Sequence, residues 1–197
     1  MTNSAVSPAV GIDLGTTCSC VAYLDEHGRP QILVNSEGER LTPSVVLFEA
    51  DDAVVGREAL RALGSDPLLV AWCAKRSLGR RFYPHPLGGR QYAPEASEAW
   101  ILNKLRLDAS RQIGRVERAV ITVPAYFDEV RRKATVDAAY MAGLDVLEIM
   151  NEPTAAAVAY GQRWLDTPHT RKHAVERRDP PDRPKHILVY DLGGGTF

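Results

Sequence analysis

Val10-Gly11-Ile12-Asp13-Leu14-Gly15-Thr16-Thr17-Cys18-Ser19-Cys20-Val21 decides how the chain is read. Val10, Ile12 and Leu14 alternate with Gly11 and Asp13, the period of a strand with two unlike faces. Gly15 permits a positive φ and a close backbone approach to a ligand. Thr16 and Thr17 place hydroxyls beside the turn's N–H groups, and a second strand returns through Cys18, Cys20 and Val21. A turn of backbone donors suits phosphate, and a carboxylate beside it suits a hydrated Mg²⁺. A hairpin whose Asp13 merely caps its own turn would give the same local pattern.

The plan recurs at the other extremity, in Val189-Tyr190-Asp191-Leu192-Gly193-Gly194-Gly195-Thr196-Phe197. Again an apolar strand runs into Asp-Leu-Gly and a small flexible turn with a threonine. Two copies about one domain's length apart suggest similar halves facing one nucleotide. On this reading a second half of comparable size would follow Phe197.

Composition is ordinary for a globular chain, 45% apolar and 25% charged, with 24 basic and 25 acidic residues for a net charge of −1. That balance gives no general attraction to nucleic acid. No apolar run approaches the roughly 20 residues of a membrane span. The first nine residues lack a basic segment followed by an apolar one, so no export signal is expected. Cys18, Cys20 and Cys73 are odd in number and lie in apolar contexts, which fits reduced thiols in a cytoplasm.

Strands are expected at Gln31–Val34, Ser44–Phe48 and, as a short edge, Val54–Gly56. A short helix from Arg57 to Leu63 closes at Gly64, and Asp66-Pro67 reads as an N-cap and first-turn proline opening a helix to about Arg76. Tyr83 to Pro94 reads as loop. Glu95 to Gln112 is the longest expected helix, with Ala99, Leu102, Leu105, Ala109 and Ile113 near one face and Gly114 as its stop. Ala119–Val123 is a strand ended by Pro124, Asp128 caps a helix to Ala142, Val146–Met150 is a strand, and Thr154–Tyr160 is an alanine-rich helix. Alternating strands and helices predict an α/β fold with a mixed sheet and packed helices. Residues 166–185, proline-rich and basic, read as a surface loop.

Gly11 to Thr17, Asp66-Pro67 through Lys75-Arg76, Gly79-Arg80-Arg81-Phe82, Val120 to Phe127, Asn151 to Gly161 and Asp191 to Phe197 together resemble the ATPase domain of the seventy-kilodalton heat-shock chaperones, the DnaK type. The resemblance implies an actin-like (ribonuclease H-like) fold of two lobes, with ATP or ADP and Mg²⁺ in the cleft between them. This chain resembles one lobe of the two: residues 1–186 as the first lobe, with an outer subdomain at about 40–115, and 187–197 as the first strand and turn of the second. Asp13 and Asp191 would hold Mg²⁺ through water. Gly15, Thr16, Thr17 and Cys18 would form the first phosphate turn, and Gly193, Gly194, Gly195 and Thr196 the second. Lys75 would reach the γ-phosphate and the attacking water, with Glu152 near metal and water, and Asp13, Asp191 and Thr196 would share in catalysis. Pro124 and Arg132 stand where the family couples nucleotide state to peptide binding. Implied partners are the nucleotide, unfolded polypeptides, J-domain co-chaperones and nucleotide-exchange factors, in the cytoplasm, with no nucleic acid or membrane partner.

Departures from the pattern are specific. The family carries several strands between the Lys75 segment and the helix near Glu95, where this chain has a proline- and glycine-rich loop, so the outer subdomain is expected to be trimmed. Cys18 stands where asparagine or an aromatic is common, and Asp128 replaces the usual asparagine. Read as truncated before its second lobe, the chain is expected to bind ATP weakly and to hydrolyse none alone. Two alternatives remain at this level: a non-catalytic binding module or remnant, and a fragment of an actin-like sugar kinase or filament protein. Glu152-Pro153-Thr154-Ala155-Ala156 with Val123-Pro124-Ala125-Tyr126-Phe127 favours the chaperone branch over the latter.

Overall fold

The computed structural model describes residues 7–49, 52–166 and 188–194. Two sheets share one helix. The larger sheet contains β1 (Ala9–Asp13), β2 (Cys18–Leu24), β3 (Pro30–Ile32), β4 (Thr42–Pro43), β8 (Arg118–Val123) and β9 (Asp145–Asn151), in the order β3-β2-β1-β8-β9 with β4 paired to β2. β1 is antiparallel to β2 and parallel to β8, and β8 is parallel to β9, so the sheet is mixed as expected. The smaller sheet is antiparallel, β6-β5-β7, from β5 (Val45–Glu49), β6 (Asp52–Val55) and β7 (Val70–Trp72).

The helices are α1 (Arg57–Ala62), α2 (Pro94–Ile113), α3 (Glu129–Met141) and α4 (Glu152–Asp166). α2 is the plank on which both sheets are built. Its Ile101, Leu102 and Leu105 belong to one core with Val10, Ile12 and Ile121 of the larger sheet and Val46, Phe48 and Ala71 of the smaller. α3 opens where Asp128 accepts a hydrogen bond from the Arg131 N–H at 3.0 Å, the expected cap.

Strand alternation decides where a site can form. Val10 and Ile12 of β1 and Ala119 and Ile121 of β8 point into the core beneath α2 and α3, and Val123 points the same way into a smaller cluster with Leu78, Phe127 and Ala134. Asp13 and Thr122 therefore point to the opposite face. That face meets α4 and stays partly open.

Four expectations need correction. Asp66 to Arg76 is not one helix: a 3-10 turn (Pro67–Leu69), β7 and a second 3-10 turn (Ala74–Ser77) replace it. Val70, Ala71 and Trp72 pair with Leu47, Val46 and Val45, and that ladder overrides the local helix-start signal. Cys73, with φ of 53°, then breaks the chain direction just before Lys75. The strand at Gln31–Val34 is shorter and earlier, Pro30–Ile32. α4 starts at Glu152 rather than Thr154 and runs past Tyr160 to Asp166, because Glu152 and Pro153 suit a first helical turn and Gly161 does not stop it. Leu188 to Tyr190 form no strand, having no ladder partner among the described residues. The loop expected at 166–185 falls, apart from Asp166, outside the described residues.

Candidate functional site

The first turn is fixed by two serines. Ser19 Oγ accepts from the Gly15 N–H at 3.1 Å, Ser44 Oγ donates to the Gly15 carbonyl at 2.8 Å, and the two hydroxyls meet at 2.8 Å. The Ser44 N–H also donates to the Thr17 carbonyl at 2.8 Å. Gly15 does not use a positive φ here. It is required by close approach instead, since a Cβ would lie 2.1 Å from the Cys18 carbonyl oxygen. The Thr16 hydroxyl is buried at this turn and has no protein partner. Asp13 is held by Thr122 Oγ1, which donates to its carboxylate at 2.7 Å.

Lys75 reaches this turn from the other side. The β7 ladder and the left-handed Cys73 deliver it on the 3-10 turn Ala74–Ser77, and its side chain is only 2% exposed. Its ammonium donates to the Leu14 carbonyl, and to Glu152 Oε1 at 2.5 Å. Glu152 opens α4 and is 16% exposed. An ammonium taken this far out of water needs such partners, and a partly open carboxylate leaves the pair facing the cleft. Asn151, the residue before Glu152, accepts from Arg132 at 2.6 Å, and Arg132 also donates to the Phe127 carbonyl at 3.1 Å. Arg132 thus ties the turn after Pro124 to the residue that sets Glu152.

Residues 188–194 close the arrangement. Val189, Tyr190, Asp191, Gly193 and Gly194 line a cleft of about 520 Å³ whose other walls are Asp13, Gly15 to Cys18, Thr122, Glu152 and the Ala155, Ala156 and Ala159 side of α4. Arg76 donates to the Gly194 carbonyl at 3.2 Å. Gly194 lies so near the first turn that a Cβ would sit 2.0 Å from Thr17 Oγ1. A smaller pocket of about 230 Å³, lined by Pro124, Tyr126, Pro153 and Asp191 among others, adjoins the cleft through Glu152.

Of the expected site residues, Asp13, Gly15, Thr16, Thr17, Cys18, Glu152, Asp191, Gly193 and Gly194 line one cleft, and Lys75 meets it through Glu152. Pro124 lines the adjoining pocket, and Arg132 acts at one remove through Asn151. Gly195 and Thr196 lie outside the described residues. Reading the sequence missed Ser19, Ser44, Thr122 and Asn151. Ser19 could have been found, since it alternates with Cys18 and Cys20 onto the inward face; Ser44 owes its place to a contact across the fold that no local pattern announces.

The donors in this cleft are carboxylate and hydroxyl oxygens, which suit a hard cation such as Mg²⁺. Among the described residues no three His, Cys, Asp or Glu side chains converge as a ready cage, so an ion here would keep much of its water. Burial pushes the thiol of Cys20 up, and the charge of Asp13 adds to this; burial alone pushes up Cys18. Both are held as neutral thiols beside the cleft.

The family model for Hsp70 protein matches residues 9–86 and 84–197. The chain belongs to the Hsp70 family. Its α/β fold with a mixed sheet is accordingly the actin-like ATPase fold. The chain is 45% identical over 214 aligned positions to the chaperone protein DnaK of Thermus thermophilus, and equally so in each of two strains of that organism. Each alignment covers 98% of this chain but 32% of the relative, so the chain spans about a third of the length of the relatives it matches. The aligned length exceeds the chain's 197 residues, so the relatives carry residues within the matched region that this chain lacks. Among the described residues, no helix is long and apolar enough to cross a membrane.

Proposed function

We propose that these residues form the first lobe of an ATP-binding and ATP-hydrolysing domain of a chaperone-type protein, one that couples ATP turnover to polypeptide binding. The observation that carries this reading is the convergence of both Asp-Leu-Gly segments and the Lys75–Glu152 pair on one cleft. Phosphoryl transfer to water asks a protein for positioning and charge neutralisation more than for covalent chemistry. The turn at Gly15 to Cys18, together with a second turn to which Gly193, Gly194, Gly195 and Thr196 are assigned, would cradle the phosphates. Lys75, freed in part from Glu152, would meet the γ-phosphate, and Glu152 would then accept a hydrogen bond from the attacking water and fix its direction. Asp13 and Asp191 would hold Mg²⁺ through its water; the bound ion would supply charge neutralisation for the phosphates. Arg132 and Pro124 would pass the state of Glu152 to the surface, because Arg132 grips the residue before it.

In the whole protein the partners would be unfolded polypeptides, J-domain co-chaperones and nucleotide-exchange factors, in the cytoplasm. Residues 187–197 would open the second lobe, and the region at about 40–115, with its three-stranded sheet, would be a trimmed outer subdomain. Expressed alone, residues 1–197 should bind Mg²⁺-ATP weakly and release no phosphate. Titration calorimetry with Mg²⁺-ATP tests this: Lys75→Ala should weaken binding at least about tenfold, as loss of a charge-assisted phosphate contact does. Binding that ignores both Lys75→Ala and Asp13→Asn would sink the assignment. Phosphate release that Lys75→Ala abolishes would show the lobe to be active by itself.

A further inference from the structure

One buried acid has no part in the site as described. Glu98 lies on α2, is 1% exposed, and its Oε2 has no hydrogen-bond partner. A carboxyl sealed in a core with one oxygen left unpartnered is costly as an anion, so such a residue is rarely placed there for packing alone. Its surroundings name its counterpart. The 3-10 turn carrying Lys75 packs on α2, and Lys75 is the positive charge that acts on Glu98. Glu95, one turn earlier on α2, acts on it with the opposite sign, and the Tyr83 phenol next to it donates to Ser97 at 2.9 Å. The other elements packed on α2 bring little charge to this place. β2 carries no charged residue, and Glu49 of β5, Asp52 of β6, Glu129 of α3 and Arg76 are exposed. Lys133 is paired with half-buried Asp137 and Arg131 with Asp128, and Arg132 is bonded to Phe127 and Asn151.

Lys75 thus interacts with two carboxyl groups of opposite character. Glu152 is partly open, in contact, and faces the cleft. Glu98 is closed, out of hydrogen-bond contact, and faces the core. We propose that Glu98 is a positioning residue for Lys75: as a carboxylate it holds the ammonium toward α2, and as a neutral acid it releases it to Glu152 and the cleft. Burial raises the Glu98 carboxyl to about 7, with Lys75 opposing and Glu95 assisting, so both forms are populated near neutrality. The inference rests on the reading of Lys75 as the cleft's cation, yet its test needs no nucleotide. Failure here would leave nucleotide binding untouched, and failure of nucleotide binding would leave this coupling in place.

The experiment follows the protein by carbon-detected NMR, with ¹³C in the lysine Cε and glutamate Cδ positions. In the native chain the Glu98 carboxyl should titrate with a midpoint near 7, and the Lys75 Cε signal should inflect at the same pH. Glu98→Gln, which keeps shape and polarity but cannot ionise, should erase the Lys75 inflection near pH 7. Glu152→Gln should keep the inflection. A Glu98 titration that leaves Lys75 Cε unmoved in the native chain would overturn the proposal without any variant, as would an unchanged Lys75 curve in Glu98→Gln.

Discussion

Asp13-Leu14-Gly15 and Asp191-Leu192-Gly193 are the same three residues in two different settings. Leu14 is 1% exposed, its carbonyl accepts from the buried Lys75 ammonium, and Gly15 is bonded on both its N–H and its carbonyl by serines. Leu192 is 68% exposed, and its neighbours Tyr190 and Leu188 are exposed too. Among the described residues, what ties the second segment to the rest is one hydrogen bond from Arg76 and the close approach of Gly194 to Thr17. An Asp-Leu-Gly signature therefore specifies a turn of donors with an acid beside it. Whether that turn is rigid is decided by what the tertiary structure packs around the leucine.

The largest expected effect separates the two leucines. Leu14→Ala should destabilise the chain by roughly 3–5 kcal/mol, because a sealed core leaves the cavity unfilled. Leu192→Ala should change stability by no more than about 0.5 kcal/mol, the usual scale at an exposed site. Urea unfolding of both variants measures the difference directly. Equal losses would mean that the second turn is packed as the first is, and the contrast would fail.

The next effect belongs to the sealed side alone. The folded Glu98 carboxyl is raised above its unfolded value, so the native state binds the extra proton between the two. Its favourable contribution is complete at acid pH and is lost as pH rises toward and through about 7. The loss is at most about 3 kcal/mol at one pKa unit per 1.36 kcal/mol. Glu98→Gln should flatten the fall in unfolding free energy between about pH 5 and pH 8, leaving any slope from other groups. Urea midpoints collected across that range would show it; parallel curves for the two proteins would remove Glu98 as a titrating group.

The same contrast explains what the sequence made legible. Strands β1, β2, β8 and β9 of the larger sheet, with α2 and α3, could be read because their apolar periods are bounded by turn, cap or glycine signals, whereas β3 and β4 carry no such period. The gathering of Asp13, Glu152 and Asp191 was anticipated through motifs, which name chemistry without geometry. The seat of Lys75 was misread, since β7 exists through pairing with β5, more than 20 residues earlier. A local start signal at Asp66-Pro67 cannot report that partner. Glu98 was legible and passed over. With Leu102, Leu105 and Ala109 it completes the inward spacing of α2, so periodicity alone places an acid in the core. Ser44 and Thr122 could not be anticipated, for they reach the turn and Asp13 only once the sheet has formed.

The smallest effect probes a place where the two turns approach each other. A Cβ on Gly194 would collide with Thr17 Oγ1, so the segment must back away if Gly194 is replaced by alanine. Because Leu188, Tyr190 and Leu192 are all exposed, it can do so while disturbing little else. Gly194→Ala alone should therefore cost less than about 0.5 kcal/mol in unfolding free energy, and in a Thr17→Ala background even that should vanish. The coupling between the two substitutions is what matters, since it exists only if the turns meet. A loss near 2 kcal/mol that persists without the Thr17 side chain would show the second turn anchored by contacts of its own, and the difference between the two Asp-Leu-Gly copies would then be one of exposure rather than of rigidity.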